Sequence, residues 1–303
     1  MEGQVIANAF HHAPWGFPIA TYFWLVGASA GSFVISTLGW VFGVKKYKST
    51  AFFASNTAIL LLLIVPILLI IDLGKPYRFF HLLLMPSFSH WSAPMVWGSF
   101  FILTYPIAML FYSYFVYKKN EKSARVFGIL AVVLALCTHW YTGVVIQLNP
   151  SRLPNHASVA PILFLTGAYV SGIGFLNLLL WIRNMLVDVS KRVSIGLIAD
   201  MARLMMYGIV FDLFLLFNEF LQMTYGTGEE HTLLYNVLLG TFRWPYFYLE
   251  IVWGLILPLI ILVIPKINRQ LSFVLIASFM CATGVYGMRI WWVMGGFYYQ
   301  AHF

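Results

Sequence analysis

The sequence predicts an all-α integral membrane protein whose eight transmembrane helices form two four-helix bundles, with both termini outside. Three observations carry that expectation. Hydrophobic residues make up 61% of the 303 and charged residues 9%, whereas a soluble domain carries roughly 25% charged. Eight apolar runs reach the roughly 20 residues needed to cross a bilayer as a helix. The runs lack the alternating pattern of a barrel, and open strands cannot satisfy their backbone groups in lipid. Little sequence is left for a soluble domain, so residues 1–303 read as one membrane domain. It has an extracytoplasmic segment at 1–17, a bundle at 18–295 and a tail at 296–303.

In chain order, MEGQVIANAFHHAPWGF has neither a basic n-region nor a cleavable apolar core. No signal peptide is expected, and the first span directs insertion. Helix 1 is expected at about 18–43; its Gly27-Ala-Ser-Ala-Gly31 stretch is a small-xxx-small face that lets a neighbour approach closely. Helix 2 is expected at 51–71, helix 3 at 93–117, helix 4 at 125–148, helix 5 at 157–181, helix 6 at 199–224, helix 7 at 244–264 and helix 8 at 271–295. Pro66, Pro106 and Pro258 fall inside helices 2, 3 and 7, where a proline frees a carbonyl and bends the axis.

The net charge of +8 would suggest nucleic acid on a soluble protein. Here the cations collect in the short connections between spans, so no nucleic acid is expected. Lys45, Lys46 and Lys48, then Lys118, Lys119, Lys122 and Arg125, then Arg183, Lys191 and Arg192, then Lys266 and Arg269 lie in alternate connections. The others hold Lys75 and Arg78, Arg152, and Arg243 beside Glu229 and Glu230. The bias of twelve to four puts the lysine-rich connections in the cytoplasm of a multi-pass inner-membrane protein.

Cys137 and Cys281 both lie in apolar runs and give neither a disulfide framework nor a thiolate metal site. A b-type haem needs axial ligands on facing helices, but His139 alone among eight histidines lies well inside a span, and there is no CxxCH motif. The protein is therefore expected to hold no haem and no metal.

Ionisable residues within spans are costly and mark function. They are Asp212 and Glu219 on helix 6, Glu250 on helix 7 and Arg289 on helix 8, besides His139. Seven residues separate Asp212 from Glu219, which puts them on one helical face about 10 Å apart in depth. Two readings stand for this set: a proton path running inward, or an Arg289 that neutralises one carboxylate and fixes helix packing. Helix 4 ends THWYTGVVIQLNPSRLPNH, which brings His139, Tyr141 and Thr142 about two turns below the outer surface. Tyr141 is a hydrogen-bond donor suited to a quinone carbonyl, and an aromatic-belt role competes with that.

The connection from Asp72 to Ser99, DLGKPYRFFHLLLMPSFSHWSAPMVWGS, concentrates an acid, two cations, two histidines and three prolines between two apolar runs. Gly74 and Pro76 can end helix 2. Asp72, Arg78, His81 and His90 together exceed what a plain link requires, while interfacial snorkelling suffices for Lys75. The segment is expected to shape a quinone-site mouth.

Four blocks in order, PWGFPIATYFWLVGASAGS, DLGKPYRFFHLL with SFSHWSAPMVWGS, YTGVVIQLNPSRLPN with PILFLTGAYVSG, and MRIWWVMGGF, resemble the membrane subunit of polysulfide reductase and its relatives, the NrfD/PsrC family. The resemblance covers nearly the whole sequence. It implies a haem-free, quinone-binding anchor for an extracytoplasmic ferredoxin-like iron–sulfur subunit, which relays electrons to or from a molybdopterin catalytic subunit. It implies a quinone site in the outer half near helices 1 to 4, with Tyr141 as a contact. The histidine and asparagine that serve the quinone on helix 1 in the family fall on Ala20 and Phe23 here, with Tyr22 adjacent, so His11 or His12 are the remaining candidates for that role.

The leading expectation is therefore menaquinol or ubiquinol oxidation at the outer face. Tyr141, His139, Thr142, Asp72, Arg78, His81 and Tyr22 would serve the quinone, with Lys75, Arg78, His90 and Arg152 at the partner and lipid surface. Asp212, Glu219, Glu250 and Arg289 would form the proton path. Quinone reduction at the same site and proton translocation are the alternatives. A secondary transporter is disfavoured, because no matched pair of broken helices is visible.

Overall fold

The computed structural model describes residues 15–72, 77, 94–148, 159–226 and 228–299, apart from the side chains of 94–95, 228–230, 232 and 296–299. Eight helices among them are long and apolar enough to cross a membrane. Helix 1 is Phe17–Trp40, helix 2 Lys48–Asp72, helix 3 Pro94–Tyr117, helix 4 Glu121–Gln147, helix 5 Ala160–Leu186, helix 6 Ile195–Tyr225 and helix 8 Leu271–Tyr299. Helix 7 is Trp244–Ile256, continuing as Leu257–Val263.

Where ends differ from expectation, capping explains it. Helix 4 starts at 121 because the Asn120 side chain accepts the Ser123 N–H at 3.2 Å, and its first turn is too polar for an apolar-run criterion to include. Helix 6 starts at 195 because Ser194 accepts the Leu197 N–H at 3.3 Å. Pro18, Pro161 and Pro245 stand in the first turns of helices 1, 5 and 7, where a missing N–H costs nothing. Gly43, at φ +76°, lets the chain turn sharply between helices 1 and 2.

Two elements differ from the sequence reading. Gly228–Leu238 forms an 11-residue helix between helices 6 and 7, too short to span. The first 13 residues of helix 7 are wound as a π-helix, so that the Leu257 N–H reaches back five residues to the Val252 carbonyl. Such windings are rare and concentrate at functional sites; Glu250 lies inside this one.

Helices 1–4 pack around Phe33, Tyr105, Met109 and Tyr112. Helices 5–8 pack around Phe164, Met205, Trp291 and Trp292. The two bundles are fused, because helix 1 packs on helices 2, 4, 5 and 8. The seam is the small-residue face: a β-carbon at Gly31 would come within 2.8 Å of the Gly172 Cα on helix 5. Buried serines join neighbouring spans, Ser29 donating to the Ala58 carbonyl at 2.8 Å, Ser36 to Ala51 at 2.7 Å and Ser32 to Gly172 at 3.2 Å. At the lysine-rich end, Lys46 pairs with Asp200 at 2.7 Å and Lys48 with Glu121 at 2.6 Å, tying the helix 1–2 turn to helices 6 and 4.

Candidate functional site

Asp212, Glu219, Glu250 and Arg289 are each at most 2% exposed, and they converge between helices 5 and 8. The Arg289 Nη2 donates to the Phe164 carbonyl at 3.0 Å, and its guanidinium lies 3.9 Å from the Phe164 ring centroid. Gly27 on helix 1 and Gly167 on helix 5 clear its slot, since β-carbons there would stand 3.6 and 3.5 Å from the same Nη2. Arg289 is within electrostatic range of Asp212, Glu250 and His139. Among the described residues it makes no direct ion pair with a carboxylate: a carbonyl and an aromatic face hold it, and Asp212 and Glu250 act on it from a distance.

Each acid is treated differently. Asp212 accepts a hydrogen bond from the Thr166 hydroxyl on helix 5. Glu250 accepts from the Trp291 Nε1 at 2.6 Å, one of its oxygens remaining unpartnered. Glu219 has two unpartnered carboxyl oxygens, and Arg289 keeps Nε and Nη1 without a partner. Tyr246 packs edge-on to Trp291 at 4.9 Å between ring centroids, within range of both Glu219 and Glu250. A buried polar group without a partner costs about 1–3 kcal/mol, more if charged. Asp212 and Glu250 lie within electrostatic range of the guanidinium, and Glu219 within range of Asp212.

A second group sits toward the end of the bundle where helix 1 begins and helix 8 ends. Tyr141 is 5% exposed and lies against Gly98 of helix 3, where any β-carbon would overlap its ring. Tyr22 of helix 1 is equally buried and within electrostatic range of Tyr141. These three residues form a small intersection of helices 1, 3 and 4.

His139 is two residues from Tyr141, about 200° round the helix, and faces elsewhere. Its Nδ1 is 2.9 Å from the Ala135 carbonyl and therefore carries a hydrogen, and its Nε2 is buried without a hydrogen-bond partner among the described residues. Its side chain lines an apolar crevice of about 520 Å3 between helices 1, 4, 5 and 6, which Thr166 also lines. Thr142 spends its hydroxyl on the His139 carbonyl at 2.7 Å. The expected quinone set thus divides: Tyr141 and Tyr22 share one intersection, while His139 belongs to the Arg289 side and Thr142 is engaged by its own helix.

Asp72 ends helix 2, half-buried. Lys75, Arg78, His81, His90 and Arg152, with His11 and His12, lie outside the described residues. The sequence reading missed Thr166, Trp291, Tyr246 and Gly98. Thr166 and Trp291 sit within the blocks PILFLTGAYVSG and MRIWWVMGGF, so the signal was present as a block and not as a residue. No group of three or more His, Cys, Asp or Glu side chains among the described residues is arranged to hold a metal.

The model of the family described as polysulphide reductase, NrfD, matches residues 5–300. The protein is 28% identical to the Hdr-like menaquinol oxidoreductase integral membrane subunit of Archaeoglobus fulgidus, over 94% of its own length and 71% of that protein's. It is 24% identical to a selenate reductase subunit of Mesobacillus selenatarsenatis, over 89% of its own length and 71% of the relative's. It is 27% identical to a polysulfide reductase chain of Wolinella succinogenes, over 93% and 94% of the two lengths.

Proposed function

The chain belongs to the NrfD polysulphide reductase family, and from that premise we propose that it is the quinol-oxidising membrane subunit of a respiratory oxidoreductase complex. The observation that carries the reading is the buried Tyr141 at the intersection of helices 1, 3 and 4, with Gly98 leaving room for its ring and Tyr22 beside it. A phenol held in this way donates to a quinone oxygen in a fixed direction. The archaeal relative is named for menaquinol, which supports menaquinol as the substrate, ubiquinol being the chemical alternative.

Each quinol gives up two electrons and two protons. The electrons pass to an iron–sulfur subunit docked over the end of the bundle where Asp72 lies, and from there to a molybdopterin catalytic subunit. The protons leave on that same, extracytoplasmic side. Tyr141 orients the head group, and Asp72 at the mouth takes up a released proton. Losing one hydrogen bond to a developing charge costs about 1.5–3 kcal/mol, so Tyr141→Phe in the purified complex lowers quinol-dependent turnover about tenfold to a hundredfold. Full turnover in both Tyr141→Phe and Asp72→Asn would overturn the placement.

A second reading adds to the first. The unpartnered oxygens of Glu219 and Glu250, with Asp212 about 10 Å deeper on the face of Glu219, support a proton path coupled to turnover. Arg289 stands between that path and His139 and holds the two in electrostatic contact. In sealed vesicles, Asp212→Asn and Glu219→Gln lower the proton-to-electron ratio. An unchanged ratio in both would remove the path and leave the quinol site standing.

A further inference from the structure

The lysine-rich end of the bundle carries a pocket of about 450 Å3 between the helix 1–2 turn and the helix 5–6 loop, far from Tyr141. Lys46 and Ser49 stand on one side, Lys191, Arg192 and Ser194 on the other, with Asp200 the single acid in its wall. Three cations against one carboxylate leave an excess of two positive charges. Asp200 is already shared, by Lys46 at 2.7 Å and Arg203 at 3.6 Å. Lys191 is 3.5 Å from Asp188, but both side chains are more than two-thirds exposed, so that pair holds its charge only weakly.

The pocket is built, not a chance gathering of surface lysines. Asn184 clamps the loop from both sides, accepting the Val193 N–H at 2.9 Å and donating to the Val193 carbonyl at 2.8 Å. Arg183 donates to the Lys191 carbonyl at 3.3 Å, and the Arg192 Nε to that of Val187 at 3.3 Å. The Arg192 side chain is thereby pinned at Nε, and its terminal nitrogens remain for an anion. Space above Gly196 in the first turn of helix 6 is open, with no atom within 4 Å of a β-carbon position.

The surroundings select the kind of anion. Leu186 at the end of helix 5, Val189 in the loop and Ile195 at the start of helix 6 are 81%, 76% and 51% exposed, which is costly in water and favourable against acyl chains. Basic pockets between spans at this face are suited to acidic head groups. We propose that this pocket binds the phosphodiester of an anionic phospholipid, with Arg192 and Lys191 on its oxygens and the acyl chains running down past Ile195 and Leu186.

The test uses the full chain in its complex, placed in nanodiscs of phosphatidylcholine with a minority of phosphatidylglycerol; native mass spectrometry counts the phosphatidylglycerol retained after release into detergent. Each cation at such a surface contributes about 1 kcal/mol, or about fivefold, so Lys191→Gln with Arg192→Gln weakens retention roughly 25-fold. Lys118→Gln with Lys119→Gln removes the same charge from another loop of that face and changes retention less than about twofold. Equal losses in both double variants would reduce the pocket to general surface charge and overturn the proposal, as would no loss in either. Displacement of the lipid by excess inorganic phosphate in the unaltered protein would assign the pocket to a free anion, and that too would overturn it.

Discussion

In helices 1–4 the buried hydroxyls of Ser29, Ser36, Ser55, Tyr112 and Ser113 all close on a neighbour, and the buried side-chain atoms left over there among the described residues are the Trp40 Nε1, the Tyr105 hydroxyl and the His139 Nε2. In helices 5–8 the unpartnered atoms belong mostly to Glu219, Glu250 and Arg289. The first bundle uses polarity to join spans, through hydrogen bonds that cost no charge burial. The second buries carboxylates and a guanidinium and leaves Glu219 wholly, and Glu250 and Arg289 partly, without partners. Polarity within a span is therefore not by itself a functional mark; the unmet valence of an acid or a base is.

Four changes probe that contrast. Arg289→Gln has the largest expected effect, because it removes the charged hydrogen bond to the Phe164 carbonyl, worth about 1.5–3 kcal/mol, together with the stacking on the Phe164 ring and the cation within electrostatic range of Asp212 and Glu250. The melting temperature of the purified complex falls, and adding Asp212→Asn recovers part of the loss; no recovery would mean that Arg289 acts only through Phe164. Gly98→Ala comes next. It forces the Tyr141 ring to move, at an overpacking cost of about 1–3 kcal/mol, and quinol turnover drops further than the melt does. A change of the melt alone would count against Tyr141 as the contact.

Glu219→Met reverses the sign. It removes two unpartnered oxygens, and the complex becomes more stable by about 1–3 kcal/mol in a denaturation series. Destabilisation would show that Glu219 is structural after all. Ser29→Ala is the smallest, costing about 0.6 kcal/mol, the average of an interhelical hydrogen bond in a membrane, with turnover untouched.

The spans are legible in the sequence because hydropathy over about 20 residues is a long, redundant signal, and only capped ends such as Asn120 and Ser194 shift them. Asp212, Glu219, Glu250 and Arg289 are legible one by one, since an ionisable residue in lipid is rare enough to single itself out. Their partners are not. Thr166 is neutral and common, and whether it reaches Asp212 depends on how helices 5 and 6 are rotated about their axes. The same rotation decides that Arg289 meets Phe164 and no carboxylate. Gly98 and Tyr141 lie more than 40 residues apart in sequence on consecutive helices, with nothing local to announce their contact. The separation of Tyr141 from His139 is available from helical periodicity, but their shared block hides it.

The π-wound start of helix 7 has a bearing on how this protein can change over time. A wide turn of this kind amounts to a stored insertion, one residue more than the surrounding coil needs. Losing a residue between 244 and 256 would leave the apolar length sufficient for crossing, so composition would scarcely register it. Yet it would change which residues of the wide turn face helix 8, carrying Glu250 away from Trp291. For this helix a single-codon deletion is a heavier event than most substitutions, and relatives that lack the wide turn should also lack an acid at the Glu250 position.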